Sequence, residues 1–527
     1  MSFDSRARCL AVLLAVALAG CSASVEPDEV PVVDLTGGPA FPLEAHLESA
    51  AIAAGDYDHE QLFEAGRELF HTPYNGLDGV GISRLPDGTP LNRFSVPPTG
   101  GKGGGMVSSQ SCVECHNHPA AAAAGLASTN RALDLNKDGL PPFVQRSTTS
   151  LWGNGVVQLL AQEITEDLQA IRDEALTAAG EAPGTTVERA LESKGISYGK
   201  LAATASASGE TELDLSGLEG IDVDLVVRPL LWKGLAPTVR TVTLGASAGL
   251  MGMLAEEITW FPPPGKDYNP DPDGDGVERE FSVGDVTAMA VYTASQETPE
   301  SIGRLAELGL VAAPDAATVE TIDRGREAFA SVGCADCHVP ELHLKDTVFE
   351  EPTSRGNGNY YNQRLAGKDE NYDPARPARF DLLVDAQEPR LEPHPDGGAI
   401  VRSYGDLKRH QMGRQLADPP GPQHPLTANG TPLTIDGEKA VVDPGVWLTA
   451  ELWGVGSTGP WLHDSRAGTL DEAIRWHGED DPPAPGDAGR SEAQESRDAY
   501  AALAATDREA LLTFLRSLQT RAAPGGN

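Results

Sequence analysis

Two stretches of the chain carry residues whose types and spacing could do chemistry. In "SCVECHNHP", Cys112 and Cys115 stand three positions apart and His116 follows the second; "GCADCHVP" repeats this with Cys334, Cys337 and His338. Thiols at this spacing share one helical turn, and the CxxCH pattern is the attachment signature of c-type haem. Each thiol forms a thioether with a vinyl group, and the neighbouring imidazole becomes an axial ligand of the iron. A redox dithiol or half of a zinc site would use the same cysteines. Neither explains a histidine after both pairs. The chain has six cysteines, and the other two, Cys9 and Cys21, lie near its start. Two covalently bound haems are therefore expected.

Such motifs need helices around them, and the same punctuation surrounds each one. "AGRELF" at Ala65–Phe70 precedes the first and "RGREAF" at Arg324–Phe329 precedes the second. Each segment closes on an amphipathic pattern, "GDVTAMAVYTASQ" from Gly284 and "TDREALLTFLRSLQ" from Thr506. This internal repeat predicts a mainly α protein of two cytochrome c-like domains packed together, 60–298 and 318–520, with a linker at 299–317. Within the first domain, 165–227 reads as an insertion of two helical runs and a short alternating segment.

A second axial ligand closes an iron for electron transfer, and its absence leaves the iron open for chemistry. In "GPWLHDSRAGTLDEAIRWHGED", Leu470, Ala473, Ile474 and His477 share one helix face. His477 is thus either a core histidine or a ligand. Met412 in "RHQMGRQ" is the other candidate ligand. No second ligand is evident after His116, since His118 stands too near to reach the opposite face. An open iron is expected there, as a site for peroxide or another small oxidant.

The first residues, "MSFDSRARCLAVLLAVALAG", place Arg6 and Arg8 before an apolar run too short to span a bilayer. The run ends at Leu18-Ala19-Gly20-Cys21, which resembles a lipoprotein signal. The expectation is a signal peptide at 1–20, lipidation at Cys21, a linker at 21–59 and an exported, periplasm-facing lipoprotein, with Ser22 favouring the outer membrane. The formal charge is −38 over 527 residues, spread along the chain. That excludes nucleic acid as a partner. A small redox protein or a quinol-linked donor is the expected electron partner.

Three other patterns compete for a role. "DPDGDGVERE" sets Asp271, Asp273 and Asp275 at alternate positions before Gly276, like the first half of a calcium loop, although Ser282 stands where the bidentate glutamate belongs. "DLNKDG" from Asp134 is a shorter version. "GASAG" meets the GxSxG rule at Ser247, but the βαβ setting of a hydrolase is missing.

With these residues in place, the chain resembles the bacterial di-haem cytochrome c peroxidases and the methylamine-utilisation di-haem enzymes, and more closely the di-haem oxidoreductases once labelled thiol oxidoreductases. The blocks that carry the resemblance are "RSTTSLWGNGVV", "RPLLWKGLAPTVRTVTLGASAGLMGM", "DPDGDGVEREFSVGDVTAM", "YGDLKRHQMGRQLAD" and "LTAELWGVGSTGPWLHDSRAGTLDEAIRWHG", in that order. It implies an oxidoreductase that passes electrons from the haem of the second motif to that of the first, with peroxidase-type chemistry or, alternatively, as a relay without it. It also implies that His477, fourteen residues after His463, is the second ligand opposite His338. Trp232 matches the tryptophan between the haems, and calcium between the domains fits the same pattern. The family's acid-Met-Gly is here Leu250-Met251-Gly252. A proton relay would then need Glu256 or Glu257.

Overall fold

Gly66 and Gly325 show why each half of the chain closes on a pair of crossing helices. In the computed structural model, Gly66 lies in the helix His59–His71, where an added Cβ would sit 2.6 Å from the carbonyl carbon of Ala288 and 2.8 Å from Tyr292 Cβ on the helix Val283–Ala294. Gly325, in the helix Ala316–Ser331, would meet the Ala510 carbonyl carbon at 2.6 Å and Phe514 Cβ at 2.8 Å on the helix Ala505–Ser517. Only a residue without a side chain lets the backbones approach this closely. Gly325→Ala is expected to destabilise by about 3 kcal/mol or more, as overpacked cores do. Gly180→Ala, with nothing within 4 Å, should stabilise its helix by up to about 1 kcal/mol. Denaturant unfolding of the two variants checks both.

The structure describes residues 45–80, 109–125, 146–260, 267–272, 276–353, 355, 376–418, 441–485 and 489–521, with short paired strands inside 133–144 and 424–439. These belong to one compact unit. Among the described residues no helix is long and apolar enough to cross a membrane.

The expectation of a mainly α protein is corrected: 35% of the chain is helix and 16% is strand. Part of the strand lies in the insertion. Its first portion is the end of a single 28-residue helix, Asn154–Glu181, in place of two runs. An antiparallel sheet follows, Thr186–Ser193 with Ile196–Ala205 and Thr211–Asp214. Ile196, Tyr198, Leu201, Ala203 and Ala205 point inward while polar residues cover the other face. More comes from short pairs, among them Leu342–Leu344 with Ala399–Val401 and Val348–Glu351 with Ala378–Asp381 beyond the second motif.

The insertion is built into the body of the protein. Its apolar face shares one continuous core with Leu342, Leu344, Phe349, Phe380 and Val401. Glu163 pairs with Lys194 and accepts from the backbone N–H groups of Lys345 and Asp346 at 3.0 and 2.8 Å. The Tyr198 hydroxyl donates to the Asp406 carbonyl at 3.0 Å, and Lys408 Nζ donates to the Ser197 carbonyl at 2.6 Å. The insertion thus buttresses the segment 403–411, which borders the second motif.

Candidate haem sites

The second motif opens as a tight turn, Cys334–Asp336, directly after the helix Ala316–Ser331. His338 Nδ1 donates to the Tyr404 carbonyl at 3.0 Å, which leaves Nε2 to carry the lone pair. Opposite stands His477. The helix Leu470–Arg475 starts at a capping box formed by Thr469 and Glu472 and buries Leu470 and Ala473. His477 follows its end, and its Nδ1 donates to the Ala473 carbonyl at 2.8 Å. Metal-binding histidines are commonly fixed in this way by a carbonyl on the other ring nitrogen.

The two ring centroids lie 6.5 Å apart, with the planes inclined at 56°. An imidazole bonded to a metal at ~2.0 Å puts its centroid roughly 3 Å from the ion, so two such rings are about 6 Å apart. The observed spacing fits one metal between them. Burial lowers the His338 pKa to about 4, helped by His477, and burial also lowers that of His477. Both are therefore neutral at pH 7, as a ligand must be. Burial pushes the Cys334 thiol up to about 12. Phe329, Tyr404 and Phe514 pack around this site.

The first motif repeats the lower half of this arrangement. Its turn is Cys112–Glu114, and His116 Nδ1 donates to the Ala123 carbonyl at 3.2 Å. Burial lowers His116 to about 4 and raises Cys112 to about 12. Phe63, Phe70, Leu151, Trp152 and Tyr292 make its apolar wall. Among the described residues the ring beside His116 is Phe70, at 6.0 Å.

The segment that carries His477 has a counterpart in the first half. A bridge joins Trp461 and Ala467 in one and Leu230 and Ala236 in the other. Leu462 and Leu231 both take left-handed backbone, φ 74° and 68°. Thr469 caps the helix Leu470–Arg475 and Thr238 caps Val239–Ala246. In this register His463 corresponds to Trp232, and His477, eight positions beyond its capping threonine, corresponds to Ala246. In the repeat, the half with His116 thus has Ala246 at the position that His477 takes in the other half.

Trp232 lies where the halves meet. Its indole N–H donates to the Ser147 carbonyl at 2.7 Å, and the Ser147 N–H donates to the His463 carbonyl at 2.6 Å. His463 is stacked on Trp447 at 3.9 Å, and burial lowers its pKa to about 3. Sequence reasoning missed Trp447. It also missed Trp453, whose ring lies so close to Gly153 that a Cβ there would be 2.5 Å from a ring carbon. The signal was present, because "LWG" occurs both at Leu151–Gly153 and at Leu452–Gly454.

Other candidates sit apart from these rings. Glu257 forms a buried pair with Arg240, which also holds Glu351 at 2.7 Å, and Glu256 pairs with Arg279 at 3.0 Å. The Leu250 carbonyl, in the π-helix Ser247–Met251, accepts from Ser109 N–H at 3.3 Å, next to the first motif. Met412 is half-buried, its N–H on the Gly445 carbonyl at 2.8 Å. Asp271 accepts from Gly276 N–H at 3.1 Å; Asp273, Asp275 and Cys21 lie outside the described residues. The Ser247 hydroxyl donates to the Leu244 carbonyl at 3.1 Å, a helix-internal bond and not a nucleophile's setting. His410, also missed, bridges Asp406 at 2.8 Å and Glu492 at 2.7 Å beside Cys337; against burial, these carboxylates hold its pKa up to about 12.

No curated protein matches the chain. Among solved structures, a MauG-like protein associated with microbial copper homeostasis is 17% identical, covering 61% of this chain and 81% of its own, with a TM-score of 0.29. Hydrazine synthase from Kuenenia stuttgartiensis is 14% identical over 92% of this chain and 97% of its own, at 0.31. Likenesses this weak carry no argument. Residues 398–518 match the family described as "Di-haem oxidoreductase, putative peroxidase". Over that segment, which holds Tyr404, His463 and His477, the chain is similar to the di-haem oxidoreductases.

Proposed function

We propose that this chain tethers two c-type haems through Cys112 and Cys115 and through Cys334 and Cys337, with one iron closed and the other open. Bound haem supplies one-electron chemistry and, where a coordination position is free, a place for a small oxidant. His338 and His477 would hold the closed centre, and His116 would hold the open one. The observation that carries this reading is the pairing of His477 with Ala246 in the internal repeat.

With haem bound, the His338 site would take up electrons, Trp232 would lie on their way to the His116 site, and a small oxidant would be reduced there. The chain's −38 charge favours a cationic donor protein or one that tolerates an acidic face. The arginine run, apolar stretch and Cys21 at the start support export and lipid anchoring. Calcium at Asp271 remains part of the proposal.

Mixing hydrogen peroxide with the fully reduced protein tests the reading. Rapid reoxidation with repeated turnover is expected, and slow reoxidation without turnover would favour a relay. One observation does favour the relay: Leu250 offers no proton beside the first motif, and Glu257 is committed to Arg240.

A further inference from the structure

Lys233 follows Trp232, and its side chain is only 2% exposed. Its Nζ donates to three backbone carbonyls, Pro444 at 2.7 Å, Val446 at 2.8 Å and Asp443 at 3.2 Å. Asp418 Oδ2 stands 3.3 Å away and the Trp447 ring centroid 3.5 Å away. Arg146 shares Asp418 at 2.7 Å and lies 4.9 Å over the same ring. All these oxygens belong to the second half of the chain, whereas Lys233 belongs to the first.

We propose that the Lys233 ammonium is a built-in cation that fills an oxygen cage in the second half of the chain and so positions Trp232 between the two haem sites. An ammonium has three N–H groups for the four oxygens, while a neutral amine would turn its lone pair on one of them. Burial lowers the amine to about 7, with Asp418 opposing, so the cage holds a cation most firmly below neutral pH. On the other flank, the Trp232 carbonyl accepts from Leu448 N–H at 3.1 Å. The tryptophan is thus fixed by its own carbonyl, by its indole N–H and by the lysine next to it.

Truncating the side chain should leave three carbonyls and a carboxylate buried around a space of atomic size. The Pro444 and Asp443 carbonyls keep the N–H groups of Asp418 and Val446, and Asp418 keeps Arg146, yet each oxygen loses a buried partner, which is costly. They are also the hard oxygen ligands that calcium takes at about 2.3–2.6 Å, slightly inside the present Nζ–O distances. The Lys233→Ala protein should therefore bind a small cation that the natural protein has no room for.

The test is thermal unfolding of the holoprotein at pH 6 for the natural chain, Lys233→Ala and Lys233→Met, each with calcium, methylammonium or tetramethylammonium. Lys233→Ala is expected to melt lower and to recover most of that loss with calcium or methylammonium but not with bulky tetramethylammonium. Lys233→Met fills the cage and should gain no more than the natural chain, whose own response accounts for any other calcium site. An equal gain in all three proteins, or none in Lys233→Ala, overturns the proposal. If Lys233→Ala is not recovered from cells, expression is repeated with millimolar calcium. Recovery only with the cation supports the cage, and failure under both conditions overturns it.

Discussion

Replacing His477 by alanine should convert one ferric iron per chain from low-spin to high-spin, and added imidazole should reverse the change. The geometry gives the reason. The centroids of His338 and His477 lie 6.5 Å apart, each ring has Nδ1 tied to a carbonyl, and burial lowers both pKa values. On the proposed reading, removing one ring would take away a ligand and leave the proposed cysteine tethers in place. A core histidine would behave differently: its loss would lower stability and leave the spin state alone. Met412→Ala is the control, because Met412 is the competing ligand and its change should leave the spectrum as it was.

The second large effect runs the opposite way. Ala246→His should convert the high-spin iron of the first half to low-spin and weaken cyanide binding on the order of a hundredfold, since a tethered ligand competes at millimolar effective concentration or above. Peroxide turnover should fall with it. Ala246 ends a helix of eight residues that starts at the capping threonine Thr238, as His477 follows the helix capped by Thr469. Ala246→Leu fills similar space without a donor atom, and it should keep the high-spin signal. Low-spin conversion by leucine as well would mean that crowding, not ligation, controls this iron.

How much of this was legible in the sequence depends on the distance over which each feature is encoded. The CxxCH motifs are local, and so are the helices that open and close each half, which is why Cys112, His116, Cys334 and His338 stand out without a structure. His477 was half legible, because the helical spacing put it on an apolar face but could not say what it faced. The strands were not. Val348–Glu351 pairs with Ala378–Asp381 from well down the chain, and each is only four residues long. Thr186–Ser193 carries the exposed charged residues Glu188, Arg189 and Glu192, a composition that reads as helix. Lys233 was illegible for the same reason, since its partners are carbonyls some two hundred positions away and carbonyls leave no mark on a sequence.

Spin-quantified paramagnetic resonance of the oxidised holoprotein addresses the unlike pair of irons most directly. The expected spectrum holds two ferric haems per chain, one low-spin and one high-spin in equal amounts. Two low-spin signals would contradict an open site above His116, and a single haem per chain would contradict the pairing itself.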